Sequence, residues 1–532
     1  METSTTTQII SLNALQKMAF NKKLPRKRVL LIDGNITESK YEADEYHLRL
    51  ENLGIKRIAG YLKKFGISVD IAYLQDQKTS AMENLIQQSE IIGISSQSTS
   101  INESFELCRK IKNKYPQKTV IGGAEHFALD YKWILQHPEI TGIDICCTGQ
   151  GELPMLALSL GVPLKKIGSI AYTTKDTNTN LCIVENTKKT GKNFPRLTEN
   201  NALEILIPVA ASTDGSQINK MPFLELDKHF KNAGSTATSA GCIHKCTFCT
   251  SDSFYGGYVS CLDTAKNEIK KLYKQGKDFV FVRDALLNAN PKHFEDFINF
   301  MKHFNQQHKN KMGWVAFMSV KQFEGLRKFK EMAEAGCIEI AVGVEDVIGN
   351  RKDLAKGDSL EVATEFINSA KKFLMVRTLL ILGLPEHFRY TKDEIKKTML
   401  TFMKKNPQTN YRINIWTPIV GTIDFGMYSN MFEKEKNARE NPKLFRKHDT
   451  MHSVMDPAKM YKTLGVPLEK QWLKNSEDWA KLRDEIMREY LTSSEHKTYL
   501  ETLRNKVNLN RKGLRYEIAQ DFKRIMLRSI KK

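Results

Sequence analysis

From residue 28 onward, short apolar runs alternate with stretches of helical period. RVLLID (28–33), ISVDIAY (67–73), EIIGIS (90–95), TVIGG (119–123) and IDICC (143–147) are near-continuous apolar runs, the pattern of strands buried on both faces of a parallel sheet. Between the first two, Leu50, Leu53, Ile58, Leu62 and Phe65 recur at roughly helical intervals. This alternation predicts βαβ units, so residues 27–173 are expected to form a doubly wound, Rossmann-like domain that binds ligands beyond the carboxyl ends of its strands. A second block repeats the pattern with TATSA (236–240), DFVFVRD (278–284), GWVAFM (313–318), IEIAVGVE (338–345), VRTLLILG (376–383) and YRINIW (411–416). Six βα units over 233–424 are too few for a full barrel and predict an open, partial (βα)6 TIM-type barrel with its site at the C-terminal strand ends. The fold class is therefore α/β. Residues 1–26, rich in Thr, Ser and Lys, are expected to be a flexible leader, and 174–232, with TTKDTNTN and ENTKKTGKNF, an extension and linker. Residues 425–532, charged and poor in Gly, are expected to form a helical C-terminal domain.

Composition narrows the classes. With 532 residues, 41% hydrophobic and 27% charged, the chain is neither collagen-like nor wholly disordered. No run approaches the ~18 apolar residues of a spanning helix, and the first residues carry no basic-then-apolar signal, so the expected compartment is the cytoplasm. The net charge of +20 allows a polyanionic partner. It is spread along the chain, however, which favours solvated Lys faces over nucleic-acid binding. Residues 501–532 hold ten Lys/Arg against three Asp/Glu, and Ile518, Phe522, Ile525 and Met526 share one helical face. That face reads as packing on the barrel, with docking on an anionic surface as the alternative.

Nine Cys in a long chain without an export signal point to metal or redox chemistry rather than a disulfide framework. Cys108, Cys146, Cys147, Cys182, Cys261 and Cys337 lie in or near apolar runs and read as structural thiols. Cys242, Cys246 and Cys249 differ. They form C-x3-C-x2-C directly after a strand candidate, so three soft thiolates can converge on an iron–sulfur, zinc or copper centre. Clusters used only for electron transfer are held by four Cys, whereas three leave a metal position open for chemistry. The alternative is structural zinc with His244 or a distant fourth ligand.

This motif, with Phe248 before its third Cys and six βα units around it, resembles the radical S-adenosylmethionine superfamily, most closely its cobalamin-dependent class B methyltransferases. The resemblance implies that Cys242, Cys246 and Cys249 hold a [4Fe–4S] cluster whose remaining iron is chelated by S-adenosylmethionine. GVED (343–346), LAKG (354–357), ILGLPEH (381–387) and TPIVGT (417–422) resemble later landmarks of the barrel in the right order. They imply that Phe248, Ser260, Asp284, Glu345 and Gly383 contact S-adenosylmethionine. Arg283 departs from the acidic pair common at the end of the second strand, and the arginine often found near Ser260 is missing.

TVIGGAEHF (119–127) and CTGQGELP (147–154) resemble the cobalamin-binding domains that precede many such barrels. The resemblance implies cobalamin contacts from Ser95, Ser96, Gly122, Gly123, Gly149, Gly151 and Glu152, the glycines allowing close backbone approach. The Asp-x-His-x-x-Gly element that donates an axial His is absent, and His126 reads as a surface residue. The implied activity is methylation of an unactivated carbon of a small molecule or peptide, with a low-potential donor of the flavodoxin or ferredoxin type as partner. No protein acid or base is nominated, because the cofactors carry the chemistry. A cobalamin-dependent rearrangement, ring contraction or cyclisation is the alternative. RNA modification and a non-enzymatic metal-binding sensor stand further off.

Overall fold

A computed structural model describes residues 9–34, 52–74, 77–175, 181–186, 233–255, 257–309, 312–320, 328–349, 359–408, 411–428, 456–474 and 477–506. The N-terminal block begins with helix α1 (Leu12–Phe20), capped by the Ser11 hydroxyl, which accepts from the Ala14 N–H at 3.2 Å. This corrects the expectation of a flexible leader: Leu15 and Ala19 lie one helical turn apart and are buried in the domain core. Strands β1 (Val29–Asp33), β2 (Val69–Tyr73), β3 (Ile91–Ser95), β4 (Thr119–Gly123) and β5 (Ile145–Cys147) follow. They are joined by helices that include α2 (Leu53–Lys64), α3 (Ser80–Gln88), α4 (Ile101–Lys114), α5 (Glu125–Leu129) and, after β5, α6 (Glu152–Ser159).

The sheet order is β2-β1-β3-β4-β5, all parallel, and β6 (Ile170–Lys175) and β7 (Leu181–Glu185) extend it antiparallel to seven strands. The extension expected from 174 onward thus contributes in part to this sheet, as the end of β6 and as β7. The Thr- and Asn-rich sequence around them hides both strands, of which only LCIVE is a clear apolar run. Alternation along each strand divides the core: Val29 and Leu31 join the cluster on one face, and Leu30 and Ile32 the cluster on the other. Strand order reverses between β1 and β3, and the crevice outside the carboxyl ends at such a switch point is where open α/β sheets bind ligands.

The second block forms a six-stranded parallel sheet in chain order: β8 (Ala233–Thr236), β11 (Phe279–Val282), β12 (Gly313–Met318), β13 (Cys337–Glu345), β14 (Met375–Leu382) and β15 (Tyr411–Ile415). The first strand ends at Thr236, earlier than TATSA implied. Ser239–Ala240 instead forms a short strand, β9, antiparallel to β10 (Val259–Ser260). Helices α7 (Ser251–Tyr255), α8 (Leu262–Lys274), α9 (Pro291–Gln307), α10 (Phe329–Glu334), α11 (Leu360–Ala370) and α12 (Lys392–Lys405) cover the strands. The last part of the chain adds α13 (Ile423–Tyr428), α14 (Pro457–Leu464), α15 (Glu477–Thr492) and α16 (Ser494–Lys506). The C-terminal helices pack into the barrel core: Trp479, Leu482, Ile486 and Tyr490 are fully buried in it. Segments 354–357 and 507–532, and with them the LAKG landmark and the basic apolar face, lie outside the described residues. Among the described residues no helix is long and apolar enough to cross a membrane.

Candidate active site

The three clustered thiols occupy a loop closed at its base by the β9–β10 ladder. Gly241 opens the loop with φ +80°, and a Cβ there would stand 1.8 Å from the Gly257 carbonyl oxygen. Only glycine lets the two ends of the loop meet this closely. Cys242, Cys246 and Cys249 are half-buried. The His244 N–H approaches the Cys242 sulfur at 3.4 Å, the Ser251 N–H the Cys249 sulfur at 3.5 Å, and the Cys249 N–H donates to the Cys246 carbonyl at 3.1 Å. Phe248 packs on the barrel core. The turn after β15 holds the loop from outside: the Asp424 N–H donates to the Thr247 carbonyl at 3.0 Å, and the Ser253 hydroxyl to the Gly421 carbonyl at 2.6 Å. His244 turns away, its Nε2 2.9 Å from the Ser319 hydroxyl after β12.

Beneath the loop runs a buried polar network that sequence reasoning did not find. Asp284, only 1% exposed, accepts from the Thr238 N–H at 2.6 Å and from the Thr238 and Ser239 hydroxyls. His293 Nε2 lies 2.7 Å from the Thr238 hydroxyl, and its Nδ1 lies 2.8 Å from the Ser260 hydroxyl. Burial pushes Asp284 up and His293 down in pKa, so both tend to the neutral form. The polar atoms of Ser260 and Asp284 thus hold the β9–β10 base in register. No signal in the sequence ties His293, far along the chain on α9, to them.

Glu345 ends β13 at φ +64°, after a register shift against β14, and is 9% exposed. A non-glycine residue there carries strain of the kind retained at functional sites. Its neighbour Asp346 binds His387 Nε2 at 2.9 Å and accepts from the Ile348 and Gly349 N–H groups. Burial opposes its charge, but these bonds outweigh it and hold its pKa below the usual value. Gly383, φ +87°, donates its N–H to His387 Nδ1 at 3.1 Å. The Trp479 ring would lie 3.3 Å from a Cβ at this position, so the structure gives this glycine a packing reason.

The other expected residues gather at the carboxyl ends of β3, β4 and β5. Ser95 ends β3, with its hydroxyl 3.4 Å from Asn52 Nδ2. Ser96 is buried and donates toward the Gly34 and Gln97 carbonyls. Gly122 and Gly151 pack against their own domain, a Cβ at either colliding with Phe127 or Ile58 respectively. Gly123 has room: a Cβ there would find its nearest neighbours at 3.9 and 4.0 Å. Gly149 is buried, its carbonyl accepting from the Cys147 thiol at 3.3 Å. Glu152 is buried at the start of α6, and burial pushes its carboxyl up. His126, read as a surface residue, is instead 7% exposed in α5, with Nδ1 2.9 Å from the Ser98 hydroxyl; its partners are in the fold, not the sequence neighbourhood.

This edge faces the cluster loop. The Thr250 hydroxyl, next to Cys249, donates to Glu125 Oε2 at 3.0 Å, and Leu129 packs against Gly421. Arg57 of α2 pairs with Glu268 of α8 at 3.4 Å. A family model described as the B12 binding domain matches residues 43–159, and one described as the radical SAM superfamily matches 236–400. The chain joins a B12 binding domain to a radical SAM domain. It is a cobalamin-dependent radical SAM enzyme, and its cofactors are cobalamin, a [4Fe–4S] cluster and S-adenosylmethionine. It resembles the radical S-adenosylmethionine methyltransferase TsrM from Kitasatospora setae, solved with cobalamin and [4Fe–4S] cluster bound, at TM-score 0.60 and 16% identity over 77% of this chain and 78% of that one. It also resembles the cobalamin-dependent S-adenosylmethionine radical enzyme OxsB, at TM-score 0.53 and 16% identity over 94% and 72%. At these identities the likeness is one of fold. No curated protein matches the chain by sequence.

The residues of this radical SAM enzyme fit its cofactors. Among the described residues no group of three His, Cys, Asp or Glu closes on a single metal ion, but a cubane takes its thiolates on separate irons and needs them further apart. N–H groups already approach two of the sulfurs. On the cobalamin side, the Thr148 hydroxyl is buried without a hydrogen-bond partner among the described residues. Together with the room at Gly123, it marks an edge shaped for a ligand.

Proposed function

We propose that this enzyme methylates an unactivated carbon of a small-molecule or peptide substrate. The observation that carries the reading is the Thr250–Glu125 bond of 3.0 Å, which ties the residue after the last cluster cysteine to the residue two beyond Gly123. The two cofactor edges thereby lie side by side. Cys242, Cys246 and Cys249 would hold the cluster, and Phe248, Glu345 and Gly383 would border S-adenosylmethionine from the strand ends. Ser95, Ser96, Gly123, Gly149 and the start of α6 at Glu152 would border cobalamin, with Gly122 and Gly151 shaping the turns behind. When bound, the cofactors supply one-electron and methyl-transfer chemistry, and the protein orients them and excludes water. TsrM, a methyltransferase solved with a tryptophan substrate, lends support through its shared architecture. A radical SAM enzyme needs a reductant, here proposed to be a flavodoxin or ferredoxin.

The test is anaerobic turnover of cobalamin-loaded protein with methyl-deuterated S-adenosylmethionine and a cytosolic extract, followed by mass analysis. A product carrying one labelled methyl group supports the reading. A product that has lost hydrogen without gaining a methyl would replace it with a cyclisation or ring contraction.

A further inference from the structure

Strand β13 ends in a turn that residues with a Cβ rarely adopt. Glu345 has φ +64°, and the Asp346 N–H donates back to the Val344 carbonyl at 2.9 Å, across a single residue. A bond of that span around a residue of positive φ marks the rare, strained form of the γ-turn. Among the described residues of the barrel no other non-glycine residue has a positive φ. Such a conformation persists only where its surroundings over-determine it.

Here the surroundings are a hydrogen-bonded clamp. The Asp346 carboxylate is buried and accepts from the Ile348 N–H at 2.8 Å, the Gly349 N–H at 3.0 Å and His387 Nε2 at 2.9 Å. Three donors on one carboxylate pin the chain directly after Glu345. His387 is fully buried, and its Nδ1 accepts from the Gly383 N–H at 3.1 Å. An accepting Nδ1 leaves the ring proton on Nε2, the nitrogen that faces Asp346. One imidazole therefore bridges the turn after β13 to the turn after β14. Trp479 covers this bridge: its ring lies against Gly383, and its centre is 6.4 Å from that of His387.

We propose that Asp346 and His387 are positioning residues for S-adenosylmethionine. They hold the strained turn that presents Glu345 and lock it to the Gly383 turn, so that both strand ends form one preorganised edge. This builds on the placement of Glu345 beside S-adenosylmethionine in the proposed function.

A double-mutant cycle tests it, read by equilibrium dialysis of S-adenosylmethionine against the cluster- and cobalamin-loaded enzyme. Glu345→Gln should weaken binding by about tenfold, as for a lost charge-assisted hydrogen bond. Asp346→Asn sets an NH2 group among three converging donors, so at least one bond is lost; it should weaken binding by about fivefold. Because Asp346 acts through Glu345, the double variant should bind about as weakly as the weaker single variant, whereas a merely structural role would multiply the two losses. His387→Gln can keep an N–H toward Asp346 and should retain more affinity than His387→Ala. Should Asp346→Asn not fold, hydrogen exchange in the wild type reads the same unit: S-adenosylmethionine should protect peptides 343–349 and 381–389 together. Multiplied losses in the cycle, wild-type affinity in Asp346→Asn, equal affinities of the two His387 variants, or protection confined to one peptide overturns the positioning role while Glu345 keeps its place. Unchanged affinity in Glu345→Gln overturns that place, and the positioning role with it.

Discussion

The two sheets bring their carboxyl ends into contact, with different chemistry. The B12 binding edge presents backbone, small side chains and hydroxyls: Ser95, Ser96, Gly123 and Thr148. The barrel edge presents thiols and charges: Cys242, Cys246, Cys249, Arg283 and Glu345. One edge is therefore proposed to recognise a large ring by shape, and the other to hold its cofactors by named ligands. Recognition by shape is spread over many weak contacts, whereas a ligand bond is lost with its atom. Single substitutions should separate the two edges accordingly.

The largest effect is expected at the cluster. Replacing Cys242, Cys246 and Cys249 by Ser should reduce turnover to background and remove iron, while the melting temperature of the cobalamin-bound protein changes little. Full turnover in that variant would end the distinction between the edges. Next, the barrel edge depends on a helix far along the chain. Trp479, fully buried against Gly383, should cost about 3–5 kcal/mol when changed to Ala, read by denaturant unfolding. On the opposite edge, Gly123→Ala should leave unfolding unchanged and weaken cobalamin by about 5- to 100-fold, the cost of an extra methyl in a fitted contact. Gly122→Ala, whose Cβ would meet the Phe127 ring at 2.1 Å, should destabilise the domain itself. Equal behaviour of the two glycine variants would contradict the assignment of Gly123 to the ligand face.

The smallest effect concerns the bond between the edges. Burial raises the Glu125 pKa, so the folded state binds this proton more tightly than the unfolded state. The stability it contributes is present below the ordinary carboxylate pKa and is lost as pH rises through the raised value. Glu125→Gln, neutral throughout, should flatten the fall in melting temperature as pH rises above the ordinary carboxylate range. An unchanged slope would mean that Glu125 titrates normally.

The strands were readable because each is an apolar run of the length that parallel sheets require; β1, β3, β4 and β12 fall within a residue or so of the runs. The cluster loop was readable because three thiols at fixed spacing carry their chemistry in the sequence itself. What the sequence did not reveal depends on tertiary partners. Helix α1 hid behind Thr and Lys because among its residues only Leu15 and Ala19 are buried, with Met18 packing beside them. Ser260 and Asp284 stood at the expected strand ends, but the turn of His293 toward them comes from the packing of α9. Gly383 matched a cofactor landmark, and its reason for being glycine is a tryptophan about a hundred residues away.

Metal analysis of the anaerobically loaded protein, beside the variant with all three cluster cysteines changed to Ser, tests most directly whether two separate edges hold two separate cofactors. The account predicts about four iron per chain together with cobalt in the wild type, and cobalt without iron in the variant. Iron retained in the variant, zinc in place of iron, or no cobalt in either protein would contradict it.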